Sequence, residues 1–89
     1  MSVKVLIVDD EKLERVLISN SVEWEKNGFE VIGEAGNGEE ALEFFDMNQP
    51  DLILTDINMP FMDGVTFAQN IRERSKNCHI IMLTGYREF

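Results

Sequence analysis

The chain has 89 residues, so it forms at most one small domain, and 44% hydrophobic content argues against disorder. A formal net charge of −9 argues against direct nucleic-acid binding, which needs a positive face. Its one cysteine, Cys78, excludes an internal disulfide and reads as small core or surface filler.

Val3 to Val8, Val-Lys-Val-Leu-Ile-Val, is a β-branched run that predicts a buried strand. It ends in Asp9-Asp10-Glu11, where Asp10 is suited to cap the following helix. That helix starts near Glu11 or Lys12, turns Leu13, Val16, Leu17 and Trp24 inward, and stops by Asn27-Gly28. Phe29 to Ala35 alternates in part and suits a less buried edge strand. After the Gly36-Asn37-Gly38 loop, Asn37 and Glu40 have the spacing of a capping box. The helix they open carries Ala41, Leu42 and Phe45 on one face and reaches Asn48.

Leu52 to Thr55 follows the Pro50-Asp51 turn as a short apolar run buried on both faces, and it delivers Asp56 at its C-terminal end. Phe61 to Gly64 reads as a turn before a third helix, Val65 to Arg74, with Phe67, Ala68 and Ile71 inward. His79 to Leu83 is predicted as a fourth buried strand ending at Thr84-Gly85, and Tyr86 to Phe89 as the start of another helix. Strand and helix alternate throughout, which means parallel strands, right-handed crossovers and a doubly wound α/β sheet. No apolar run approaches the roughly 18 residues of a membrane span. The N-terminus enters the first strand without a signal-peptide pattern, so the cytoplasm is the expected compartment.

Three strands end in groups of matching chemistry: Asp9 and Asp10, Asp56, and Thr84. Ligands bind at the C-terminal edge of such a sheet. Carboxylates gathered there repel unless a cation intervenes, and few hard oxygen donors open to water suit Mg²⁺ better than Zn²⁺. Taken singly, each has a plainer reading: a helix cap with surface charge, a strand-end turn residue, a structural aspartate. The Glu residues read as solvated surface.

Asp9-Asp10 after the first strand, Leu-Thr-Asp56-Ile-Asn-Met-Pro60 with Met62-Asp63-Gly64, and Leu-Thr84-Gly85 together resemble the receiver domain of two-component response regulators. The resemblance covers the whole chain in register and implies a flavodoxin-like sheet in the order 2-1-3-4-5. Here that sheet is incomplete, with four strands, three helices and the start of a fourth. It further implies that Asp56 is the phospho-acceptor, taking a phosphoryl group from a sensor histidine kinase. Asp10 would ligate Mg²⁺ directly, Asp9 mainly through water, and the Asn58 backbone carbonyl would add a ligand. Thr84 would donate its hydroxyl to the phosphoryl group, the Gly85 N–H would assist, and Tyr86 would modulate the site.

The sequence ends before the lysine that receivers carry at the end of a fifth strand, and Lys76 lies in a loop before the fourth. From this the fragment is expected to accept phosphate but signal poorly. It is also expected to associate with itself through an exposed fourth strand, as a dimer or larger. In an intact protein an output domain would follow, making a transcription regulator that meets DNA only through that domain. The competing readings are a Mg²⁺-dependent phosphohydrolase and a pseudo-receiver that is never phosphorylated. The first is disfavoured by Asn58, which stands where the haloacid-dehalogenase pattern needs a second acid.

Overall fold

The computed structural model describes residues 2–57, 59 and 61–83. Strands β1 (Val3–Val8), β2 (Phe29–Ala35), β3 (Leu52–Asp56) and β4 (His79–Leu83) form one parallel sheet in the order β2-β1-β3-β4. Helices α1 (Lys12–Ser21), α2 (Gly38–Asn48) and α3 (Gly64–Arg74) make the crossovers that parallel pairing requires. The order matches the first four places of the flavodoxin-like arrangement.

The pleat divides the apolar residues between two faces. Leu6, Val8 and Ile53 join Ala41 and Phe45 of α2 and Phe67 and Ile71 of α3 in the larger core. Val5, Ile7, Leu52 and Leu54 form the second cluster, covered by Ile18 of α1 and by Trp24, Phe29, Val31 and Leu83. Cys78 is buried in the larger core, and burial pushes its thiol above the ordinary value of 9.0, so it packs as a small hydrophobe.

Asn37 Oδ1 accepts the Glu40 N–H at 2.8 Å to open α2, while Glu40 Oε1 reaches back to the Gly36 N–H at 2.9 Å. Asp63 does the same for α3, accepting the Thr66 N–H at 2.8 Å, and that bond holds its carboxyl below the ordinary 3.8.

The first helix departs from expectation in three ways. It ends at Ser21, because Val22 adopts an extended backbone (φ −124°, ψ 139°). Ser21 Oγ also turns back to the Ile18 carbonyl. Trp24 therefore precedes a separate 3₁₀ turn, Glu25–Asn27, and packs edge-on against Phe29 with ring centroids 6.0 Å apart. Gly28, with φ 88°, closes that turn.

Second, Glu11 takes the cap position and Asp9, not Asp10, supplies the nearby acceptor, its Oδ1 receiving the Glu11 N–H at 2.9 Å.

Third, the predicted inward stripe faces out: Leu13 is 78% exposed and Leu17 67%. Val16 is exposed as well. The half-buried side of α1 holds Glu14, Arg15, Ile18 and Ser19 instead. Polar contacts accompany this orientation. Arg15 donates from Nε to Glu34 Oε1 at 3.0 Å and from Nη1 to the Asp9 carbonyl, tying α1 to the ends of β1 and β2.

β4 is less buried than its own composition predicts, in line with the exposed fourth strand expected from the missing fifth. It has β3 as its one strand partner among the described residues, so His79 and Ile81 are exposed and the others half-buried.

Candidate functional site

Side-chain alternation along the central strands decides where the acids meet. Val5, Ile7 and Asp9 share one parity, as do Leu52, Leu54 and Asp56. The register Val8↔Thr55 brings the two runs level at their C-terminal ends. Both runs belong to the face that α1 covers. Asp9 stays in the ladder beyond β1, donating its N–H to the Ala35 carbonyl at 3.0 Å.

The ligand oxygens of Asp9, Asp56 and Glu14 all lie within 4.8 Å of one another. Asp9 is 3% exposed and Asp56 8%, so two of these carboxylates are nearly removed from bulk water. Burial pushes the Asp9 carboxyl above its ordinary 3.8; the neighbouring charges of Asp56 and Asp10 add to this, while the Glu11 N–H opposes it. Such an arrangement favours a bound cation or a proton. The donors are hard oxygens with no imidazole or thiolate among them, a set that fits Mg²⁺.

Asp10, the expected direct ligand, is exposed and stands outside the three-carboxylate group. It borders the site as the next residue after Asp9, and its charge helps to raise the Asp9 carboxyl. Glu14 was not anticipated from the sequence, where it reads as one more solvated acid in the first turn of a helix. Its signal was positional: α1 begins directly at the strand end, so its first turn overhangs Asp9. Arg15 was missed for the same reason. Asn58, Thr84, Gly85 and Tyr86, the other expected site residues, lie outside the described residues.

After β3 the chain turns tightly into α3. The Gly64 N–H donates to the Ile57 carbonyl at 2.8 Å, and a Cβ on Gly64 would come within 2.9 Å of Ile57 Cα and 3.0 Å of the Asp56 carbonyl oxygen. The absence of a side chain at Gly64 therefore lets α3 start against the loop that follows Asp56.

Residues 5–89 match the family model described as the response regulator receiver domain. The chemotaxis protein CheY of Bacillus subtilis is 43% identical over 85 residues, covering 96% of this chain and 69% of CheY. The uncharacterized transcriptional regulatory protein YesN of the same organism is 37% identical over 86 residues, covering 97% of this chain but only 23% of YesN. Among solved structures, the receiver domain of AraT, a response regulator from Geobacillus stearothermophilus, superimposes with a TM-score of 0.87 at 44% identity. That match covers 92% of this chain and 64% of the AraT domain. No helix among the described residues is long and apolar enough to cross a membrane. On the family match and the parallel sheet that carries it, this chain belongs to the response regulator receiver domain family.

Proposed function

We propose that the chain accepts a phosphoryl group on Asp56 from a phosphohistidine of a sensor histidine kinase, with Mg²⁺ held at the adjoining acids. The observation that carries this reading is the meeting of buried Asp56 with Asp9 at the C-terminal edge of the sheet. An Asp56 carboxylate oxygen forms the new O–P bond as the P–N bond of the phosphohistidine breaks, and the departing imidazole keeps the electron pair. Asp9 and Asp56 would hold the cation, joined by Asp10 and the Asn58 carbonyl on the family pattern. Bound there, Mg²⁺ supplies charge compensation for the carboxylates and for the phosphoryl oxygens. On the same pattern Thr84 and the Gly85 N–H steady the phosphoryl group and Tyr86 modulates its lifetime. The low exposure of Asp56 limits access of water to the acyl phosphate.

Receiver domains are signalling domains rather than enzymes with a turnover substrate. The proposal places the chain in the cytoplasm, within a regulator that reaches DNA through a further output domain; the name of YesN supports the transcriptional role. Incubation with acetyl phosphate and Mg²⁺ should add the mass of one phosphoryl group to the chain. Chelating the metal, or substituting Asp56→Asn, should abolish the gain. A gain that persists in Asp56→Asn overturns the assignment.

The chain should also associate with itself through β4, whose exposed Ile81 and edge, with no second strand partner among the described residues, offer an apolar pairing surface. Sedimentation at rising concentration should show dimers or larger species. A compact monomer at high concentration contradicts this.

A further inference from the structure

We infer that Phe61 is a docking anchor for the phosphohistidine-bearing protein, required for transfer from that partner but not from a small phosphodonor. The inference rests on the proposed role of Asp56. The case starts from the backbone. Among the described residues, two that are not glycine have positive φ, Gln49 at 46° and Phe61 at 71°. Gln49 has a local use, closing α2 by donating its N–H to the Phe45 carbonyl at 2.8 Å. Phe61 takes a conformation that glycine adopts freely and that brings a bulky residue's Cβ against the following carbonyl. Its ring does not recover that cost within the chain, because Phe61 is 89% exposed. An exposed apolar side chain is ordinary by itself. One held out on strained backbone is not, and such strain gathers at active sites, ligand clamps and switch regions.

Position identifies the partner. Phe61 lies in the loop between β3 and α3, whose ends are pinned by the 2.8 Å bond from the Gly64 N–H to the Ile57 carbonyl. Gly64 abuts the Asp56 carbonyl, and three Cα steps of about 3.8 Å separate it from Phe61. Phe61 therefore lies no more than about 18 Å from Asp56 by Cα, and its ring reaches further still. A protein that presents a phosphohistidine must bring its phosphorus against the Asp56 carboxylate. An ordinary interface then covers about 800 Å² around that point, a disc of roughly 16 Å radius. The Phe61 side chain falls within reach of such a disc, and Val65, 52% exposed in the first turn of α3, adds apolar surface beside the loop. Buried aromatics are common anchors of interfaces, so the partner surface that fits is an apolar pocket near its phosphohistidine. Acetyl phosphate reaches the carboxylate without covering the loop.

The test compares two donors. The cytoplasmic portions of the source organism's sensor histidine kinases are autophosphorylated with labelled ATP and mixed with the chain, and the fastest donor is kept. Phe61→Ala should slow transfer from that kinase by about 10-fold or more and leave uptake from acetyl phosphate within about twofold. Phe61→Leu, still apolar, should retain most of the kinase rate. Phe61→Gly should slow the kinase as much as Phe61→Ala does, yet raise the thermal unfolding midpoint by about 2–5 °C through relief of the backbone.

Kinase transfer to Phe61→Ala within twofold of the unsubstituted rate overturns the inference. An equal loss with both donors also overturns it, since the residue would then serve the loop itself. A lowered midpoint in Phe61→Gly does the same, because the ring would then be stabilising its own chain. Should Phe61→Ala fail to fold by far-UV circular dichroism, the two-donor comparison on Phe61→Leu and Phe61→Gly decides. Failure of every kinase to phosphorylate the unsubstituted chain overturns this inference together with the kinase part of the proposed function. Uptake on Asp56 from acetyl phosphate is read independently by mass, so the two failures are distinguishable.

Discussion

Phe67→Ala should destabilise the chain by about 3–5 kcal/mol, the range for emptying a fully buried aromatic site. Phe67 is 0% exposed and sits between the sheet residues Leu6, Val8 and Ile53 and the α2 residues Ala41 and Phe45. Domains of this kind retain roughly 0.05–0.15 kcal/mol of stability per residue, so the loss is a large share of the total. Chemical unfolding followed by circular dichroism should show a midpoint moved sharply down, or no native baseline. Leu13→Ala is the discriminating control. The sequence pattern makes Leu13 a core residue, whereas at 78% exposure its truncation should stay within about 0.5 kcal/mol. Equal losses in the two variants would mean that the rotation of α1 described above is wrong.

Gly64→Ala should have the second large effect, and it should fall on the site. The added methyl would meet backbone, Ile57 Cα at 2.9 Å and the Asp56 carbonyl at 3.0 Å, and backbone cannot swing aside as a side chain can. Relief requires α3 to withdraw from the loop after β3, stretching the 2.8 Å bond between the Gly64 N–H and the Ile57 carbonyl. Overpacking of this kind costs about 1–3 kcal/mol. Displacement of the segment that carries Asp56 should slow phosphoryl uptake from acetyl phosphate by about 10–100-fold, the usual result of moving a reacting group by an ångström. Wild-type uptake in folded Gly64→Ala would show that the packing at Gly64 does not position Asp56.

The strands of the sheet were legible because β1 and β3 are short, apolar and bounded by acids or turn formers; their order came only from the family resemblance. The α2 start was legible because Asn37 and Glu40 supply both halves of a local device. Asp56 was legible for a similar reason: a carboxylate at the end of a buried strand has few inexpensive explanations.

What failed was α1. Leu13, Val16 and Leu17 have helical spacing, but spacing reports a shared face and not which way that face turns. The observed direction places Arg15 on the Asp9 carbonyl, six residues earlier, and on Glu34, 19 residues later, and the second of these contacts exists only once the sheet has folded. Glu14 was invisible for the same reason. The early stop at Ser21 was equally a matter of backbone conformation at Val22, with neither Gly nor Pro to mark it. For β4, His-Ile-Ile-Met-Leu alone reads as buried, and its exposure was anticipated only through the strand order implied by the resemblance, since composition does not reveal whether a strand has one neighbour or two.

The central claim is that the carboxylate of Asp56, brought beside Asp9 by the register of β1 and β3, is the group that accepts the phosphoryl. The most direct measurement traps it. The chain is incubated with acetyl phosphate and Mg²⁺, reduced with borohydride to convert an aspartyl phosphate into homoserine, digested, and read residue by residue by tandem mass spectrometry. Homoserine at position 56 and at no other aspartate is the predicted result. Homoserine at position 9 or 10, or unmodified Asp56 in a folded chain shown to bind Mg²⁺, would contradict it.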